Sequence, residues 1–151
     1  MGHITAMLKT AQDRAKQLGL PYTGALLPHE ACQLMLEAPS AKLVDVRAHA
    51  ELDLIGTIPG SAHIEILSYP GWHPNPHFIT NLKQQVDPEA LVMFICRTGA
   101  RSHKAAMAAM EVGFTNCYNV LQGFEGDKDP ATNQRGALNG WKAAALPWQQ
   151  S

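Results

Sequence analysis

The sequence predicts a three-layer α/β domain with a mainly parallel central sheet and helices on both faces. Three observations predict it. Short apolar, β-branched runs alternate along the chain with segments whose apolar residues recur at helical spacing. The run Leu91-Val92-Met93-Phe94-Ile95 is apolar at every position, as a strand covered on both faces requires. The 151 residues, 46% of them hydrophobic, suffice for one sizeable core rather than two. The expected organisation is an N-terminal helical extension over residues 1–21, packed on a single domain over residues 22–151.

Between Ile4 and Leu18, apolar residues at Ile4, Met7, Leu8, Ala11, Ala15 and Leu18 define one helix face, with Lys9, Asp13, Arg14, Lys16 and Gln17 largely between them. The mixed charge of the polar side fits packing on the protein better than binding to an anionic membrane surface. Gly19 and Pro21 stop the helix. Pro28 suits the first turn of a second helix, where its missing amide would have had no partner. Leu27, Ala31, Leu34 and Met35 give that helix its apolar side, Cys32 joins the packing, and Ala38-Pro39-Ser40 ends it. Lys42 to Val46 reads as a core strand that delivers Asp45 and Arg47 to a loop.

Gly56 to Ser61 is expected to be a turn, and Ala62 to Ile66 another short strand. Tyr69 to His77 holds three prolines and Gly71 and is expected to be an ordered, irregular excursion. Phe78 to Val86 returns to a helical pattern, and Leu91 to Ile95 is the strongest strand. After Cys96 to Ser102 an Ala- and Met-rich helix runs to about Val112, with Gly113 as its stop. Cys117 to Leu121 is a further strand. Gly123 to Gly140 is polar, with surface turns at Asp127, Lys128, Asp129 and Pro130. Trp141 to Leu146 is expected to close the chain in a helical turn or two, anchored by Trp141 and Trp148.

Composition narrows the function classes. Twelve Lys and Arg against 13 Asp and Glu give a formal charge of -1, which favours neither nucleic acid nor an acidic membrane surface as partner. No run approaches the length of a spanning helix, and the N-terminus has no signal-peptide pattern. Cys32, Cys96 and Cys117 lie far apart, and with an odd number they cannot all be paired. A reducing cytoplasm is therefore the expected location. His73-Pro74-Asn75-Pro76-His77 brings two imidazoles close in sequence, but no nearby cysteine or carboxylate completes a ligand set. No metal and no cofactor are expected.

The chemistry concentrates at Cys96-Arg97-Thr98-Gly99-Ala100-Arg101-Ser102. A thiol between the end of a strand and the start of a helix faces amides that have no helical carbonyl partners. Those amides and the positive helix terminus favour thiolate over thiol. Arg97 and Arg101 add fixed positive charge, and Gly99 lets the main chain curl closely into a nest for an anion at the sulfur. Thr98 and Ser102 bring hydroxyl donors, with helix capping as the alternative for Ser102. The polar surroundings predict that the Cys96 sulfur is exposed. Cys117, in an apolar strand, is expected to be inert, and His63 to be structural. His103 and Lys104 are expected to enlarge a basic rim.

Four segments in order resemble the rhodanese-like sulfurtransferase family, in its single-domain bacterial form. They are Leu43-Val44-Asp45-Val46-Arg47 with Glu51, Gly56-Thr57-Ile58-Pro59-Gly60-Ser61-Ala62-His63-Ile64, the Cys96 to Ser102 loop, and Gly113-Phe114 through Asn119-Val120-Leu121-Gln122-Gly123-Phe124. The resemblance implies a rhodanese-like domain in which Cys96 is catalytic and carries a persulfide. Arg97, Thr98, Gly99, Ala100, Arg101 and Ser102 would bind substrate: their amides surround the outer sulfur, Arg101 holds the loop and attracts an anionic donor, and Arg97 sits nearer the mouth. Asp45 and Arg47 would support the neighbouring loop, with Glu51 as partner of Arg47. The implied partners are thiosulfate or another sulfane-sulfur donor, and a small thiol, cyanide or a protein thiol as acceptor.

Two departures bear on the acceptor: Gln122 stands where the family has the first glycine of a pair, and an insert separates Gly123 from Trp141. This insert and the Tyr69 to His77 excursion are expected to line the mouth. The alternatives are a non-enzymatic persulfide carrier or interaction module, and a cysteine phosphatase or arsenate reductase. A phosphate loop spaces its cysteine and arginine one residue further apart than Arg97, Thr98, Gly99 and Ala100 separate Cys96 from Arg101. The shorter ring suits one extra sulfur better than a tetrahedral oxyanion.

Overall fold

A computed structural model describes residues 2–150; Met1 and Ser151, the outer limits of the two expected segments, lie outside them. Helix α1 (Gly2–Leu18) leads into strand β1 (Gly24–Leu26), α2 (Pro28–Glu37) and β2 (Lys42–Asp45). Then come α3 (His49–Ile55), β3 (Ala62–His63), β4 (Leu67–Ser68), β5 (His73–Pro74) and α4 (Phe78–Gln85). Strand β6 (Leu91–Ile95), α5 (Ala100–Glu111) and β7 (Asn116–Val120) complete the order. The central sheet runs β1-β7-β6-β2-β3 with every pairing parallel. Parallel neighbours need crossovers, and the helices supply them on both faces.

Strand alternation divides the core in two. In β6, Val92 and Phe94 pack with Phe78 and Leu82 of α4 and Ala105, Ala106 and Ala109 of α5. Met93 and Ile95 turn the other way, to Ala11 of α1, Ala31 and Leu34 of α2, and Trp141. Cys96 continues the Val92 and Phe94 alternation, which carries its side chain towards α5. In β7, Cys117 lies on that same face while Tyr118 and Val120 lie on the other.

Several elements differ from the sequence reading. Strand β1 was not expected: it is short, begins with a glycine, and pairs along one edge only. A Cβ at Gly24 would collide with the Tyr118 ring. The outer carbonyl of Ala25 accepts from Arg14 Nη1 at 2.6 Å, and Arg14 is also paired with Glu30, so the edge is closed to further strands. Helix α3 was also unexpected, because it buries no residue and so carries no apolar stripe to announce it. The expected strand from Ala62 to Ile66 shortens to β3, although the amides of Ile64 and Ile66 still bond to Asp45 O and Val46 O. Inside the Tyr69 to His77 excursion, β5 pairs with β4 as a small antiparallel hairpin. The chain end closes in turns at Trp141 to Leu146, with Trp141 buried and Gln149 bridged to Thr57.

The segment after β7 passes directly beneath the loop that follows β6. The Phe124 amide bonds to Cys96 O at 2.8 Å, and the amides of Glu125 and Gly126 bond to Arg97 O at 3.0 and 3.2 Å. A Cβ on Gly123 would lie 2.6 Å from both the Arg97 carbonyl carbon and Cys96 O, at a residue with φ +66°. Gly123→Ala is expected to cost about 1–3 kcal/mol of stability in chemical denaturation. The Cys96 loop should show the largest loss of amide-exchange protection.

Candidate functional site

Cys96 to Gly99 join the end of β6 to the start of α5, so the loop sits at the carboxyl edge of the sheet and the amino end of a helix. Helix geometry leaves the first amides of α5, at Ala100, Arg101 and Ser102, without intrahelical acceptors. Gly99 occupies the left-handed region at φ 106°, ψ -8°, and this turn folds its own amide back onto Cys96 Sγ at 3.0 Å. The Cys96 and Arg97 carbonyls are held on the other side by Phe124, Glu125 and Gly126. The loop therefore presents the Gly99 amide to the sulfur and binds the Cys96 and Arg97 carbonyls to the segment after β7.

The expectation of an exposed sulfur is corrected: Cys96 is 1% exposed and belongs to the apolar cluster of the α5 face. Alternation along β6 puts it there, overriding the polar character of the residues that follow. The sulfur is nevertheless not in an all-hydrocarbon setting, because Ser102 Oγ lies 3.3 Å from it and the Gly99 amide 3.0 Å. Ser102 is wholly buried and also 2.6 Å from Asn119 Oδ1. Asn119 Nδ2 reaches Gly99 O at 3.2 Å and Tyr22 Oη at 3.1 Å, and Tyr22 Oη reaches His103 Nδ1 at 2.8 Å. Sequence reasoning missed Asn119 and Tyr22 and placed His103 only on a rim. The available signal was Asn119 itself, a polar residue on the same face of β7 as the buried Cys117.

Arg101 meets Glu51 in a two-pronged pair, Nη1 to Oε1 at 2.6 Å and Nη2 to Oε2 at 2.8 Å. Glu51 was expected to pair with Arg47; that expectation is corrected. Arg47 is fully buried against Asp45, with Nη2 to Oδ2 at 2.6 Å, and also donates to Gly56 O at 2.8 Å. Its guanidinium carbon stacks 4.2 Å from the Phe124 ring centre, while Nη1 has no hydrogen-bond partner. Asp45 and Arg47 thus brace the loop after β2, and Glu51 reaches the Cys96 loop from α3.

Burial opposes ionisation of Glu51, but hydrogen bonds from Arg101 and the Ala48 amide prevail and hold its carboxyl below the ordinary value. Burial likewise opposes the Arg101 charge, and Glu51 more than offsets it, raising the guanidinium above its ordinary value. Much of the Arg101 charge is therefore answered inside the protein. Arg97 is exposed, and among the described residues no carboxylate pairs with it. Burial pushes Cys117 up to about 12 and raises Cys32 as well, so both favour the neutral thiol.

The mouth is built around the tip of the β4–β5 hairpin. Leu67, Trp72, Arg97 and Arg101 line a depression of about 330 Å³, with the Trp72 ring 5.1 Å from the Arg101 guanidinium. On one side lies a hollow of about 240 Å³ that includes Leu54, Tyr69 and Glu125. On the other, an apolar cavity of about 440 Å³ passes between Ile66, Phe78, Ile79 and Ala108, with Ala100, Arg101 and Lys104 at its border. Of the 125 to 139 insert, Glu125 alone is among these lining residues. Thr98 is half-buried within the loop. His63 bonds to Arg47 O as a structural residue, and among the described residues no group of three His, Cys, Asp or Glu could hold a metal.

A carboxyl that titrates below 4.5 when folded takes up its proton first in the unfolded chain as pH falls. The Glu51 contribution is full above its ordinary value and disappears as pH falls through the lower folded value. Glu51→Gln is expected to cost about 1–2 kcal/mol at neutral pH. Urea titrations against pH should show that difference closing under acid conditions.

Residues 28–129 match the rhodanese-like domain family. The uncharacterized protein RC0915 of Rickettsia conorii is 34% identical over 122 residues, 80% of this chain and 92% of that protein. The crystal structure of Rv0390 from M. tuberculosis is 37% identical with a TM-score of 0.78, covering 86% of this chain and 99% of that one. The homodimeric polysulfide-sulfur transferase of Wolinella succinogenes shares the fold at 24% identity and a TM-score of 0.58, over 99% of this chain and 89% of its own. Since the match takes in more than half of the chain, with β2, the Cys96 loop and Asn119 all inside it, this protein belongs to the rhodanese-like domain family.

Proposed function

We propose that the protein is a sulfurtransferase that carries a sulfane sulfur on Cys96, with thiosulfate as a competent donor. The observation that carries this reading is the Gly99 amide 3.0 Å from Cys96 Sγ, at a helix start whose further amides have no internal acceptors. Aligned donors of this kind stabilise negative charge at one sulfur without a general base.

In the first step the Cys96 thiolate attacks the outer sulfur of thiosulfate. A sulfur–sulfur bond forms, the bond to the sulfonate sulfur breaks, and sulfite leaves with the electron pair. The product, Cys96-S-S⁻, holds its charge on the outer sulfur, where the amides of Arg97 to Ser102 gather round it. In the second step a nucleophile attacks that outer sulfur and Cys96 leaves as thiolate. Cyanide then departs as thiocyanate, and a low-molecular or protein thiolate departs as its persulfide.

Arg97 is the group that draws the anionic donor to the mouth, since Arg101 is occupied by Glu51 and serves to hold the loop. Asp45, Arg47 and Glu51 are supporting residues. The division into an N-terminal extension over residues 1–21 and a rhodanese-like domain over 22–151 is part of the same reading, supported by Ala11 and Ala15 of α1 buried against the domain. So is a reducing cytoplasm, supported by three free cysteines.

Intact-mass measurement after incubation with thiosulfate is expected to show the gain of one sulfur atom, removed again by cyanide. Cys96→Ser should abolish the gain; loading at Cys32 or Cys117 in that variant would assign the chemistry elsewhere. Arg97→Ala is expected to raise the KM for thiosulfate by about tenfold at low salt, with the difference shrinking as salt is added.

A further inference from the structure

Proton accounting around Ser102 points beyond the loop itself. Asn119 Nδ2 lies 3.2 Å from Gly99 O, and a main-chain carbonyl only accepts. The amide nitrogen must therefore occupy that side, leaving Oδ1 to face Ser102 at 2.6 Å. Oδ1 also only accepts, so the single hydroxyl proton of Ser102 is given to Asn119. Ser102 Oγ then meets Cys96 Sγ, 3.3 Å away, with its lone pairs. In this arrangement Ser102 accepts from a Cys96 thiol and has no proton left for a thiolate.

The network extends outward from there. Asn119 Nδ2 donates to Tyr22 Oη at 3.1 Å, and Tyr22 Oη lies 2.8 Å from His103 Nδ1. Asn119 is 2% exposed and Ser102 fully buried, so bulk water cannot exchange for either partner.

We propose that Asn119 is a positioning residue that sets the ionisation of Cys96 by holding the Ser102 proton. When Cys96 ionises, the Ser102 hydroxyl rotates from Asn119 Oδ1 to the sulfur; its O–H bond stays intact and no proton passes between the two side chains. In the sulfurtransferase cycle, on which only the catalytic consequence rests, the loaded form keeps its charge on the outer sulfur and leaves Ser102 with Asn119. Discharge returns the charge to Sγ and calls the hydroxyl back.

The test reads thiolate directly. The ultraviolet thiolate absorbance of Cys96 is followed against pH, using as blank the same variant carrying Cys96→Ser. Asn119→Val, which suits a buried strand, frees the Ser102 proton and is expected to move the titration about one unit lower, a roughly tenfold gain in thiolate below the midpoint. Ser102→Ala should give no downward move, and the double variant should lose the Asn119→Val gain. The other charged groups around the loop are Arg97 beside Cys96, Arg101 on α5 with Glu51 from α3, the Asp45–Arg47 pair at the end of β2, and His103 beyond Tyr22. They remain in every variant.

A titration of folded Asn119→Val at the same or higher pH than the parent overturns the proposal. A second measurement needs no Asn119 variant. In the unaltered protein the Asn119 carboxamide carbon resonance should shift as Cys96 ionises and stay flat in Cys96→Ser; a flat response in both overturns the proposal equally. Neither readout depends on sulfur transfer, so the two ideas can fail separately.

Discussion

The loop after β6 keeps its shape because its two leading carbonyls are tied from below. Phe124, Glu125 and Gly126 donate three main-chain hydrogen bonds to Cys96 O and Arg97 O, and Gly123 brings that strap to a distance no side chain would permit. Peptide planarity does the rest. With the carbonyls bonded to the strap, the Arg97 and Thr98 amides in the same peptide planes point away from it, and the Gly99 amide reaches the sulfur. Gly99, in a left-handed conformation disfavoured for other residues, completes the curl. Gln122, just before the strap, sits at φ 71° under local strain, and its side chain accepts from Gly140 N at 3.1 Å, joining the strap to the turn that begins at Trp141.

Charge is arranged around this frame in two layers. The Asp45–Arg47 pair is wholly buried, an arrangement that contributes little net stability but penalises any packing that would separate the partners. It fixes the loop after β2 beneath Phe124 and hence beneath the strap. Glu51 and Arg101 form the outer layer and tie α3 to the first turn of α5. Arg97 in the loop and Lys104 on α5 remain exposed, so the solvent-facing positive charge and the loop-holding pair belong to different residues. The aromatic hairpin tip, with Trp72 against Arg101, makes one wall of the depression beside Arg97.

Much of the fold and the centre of the site could be read from the chain. The all-apolar Leu91 to Ile95 run announced a doubly covered strand, and the glycine and arginines after Cys96 announced the amide loop. What escaped the reading has physical causes. Strand β1 and helix α3 are held by edge pairing, by Arg14 and by the Glu51 cap rather than by periodic burial, so no pattern marks them. The Glu51–Arg101 pair joins residues far apart in sequence, and proximity along the chain favoured Arg47 instead. The burial of Cys96 follows from the side to which β6 alternation turns it, which outweighs its polar neighbours. Asn119 could have been singled out by the same alternation, but its partners at Ser102 and Tyr22 come together only through the sheet order.

The central claim is that the Cys96 sulfur is the single atom on which this amide loop acts. A crystal structure of thiosulfate-treated protein, with sulfur positions located by anomalous scattering, tests it most directly. The account predicts one additional sulfur bonded to Cys96 Sγ and within hydrogen-bond distance of the amides of residues 97–102. An unmodified Cys96 under conditions that transfer sulfur, or an added sulfur on Cys32 or Cys117, would contradict it.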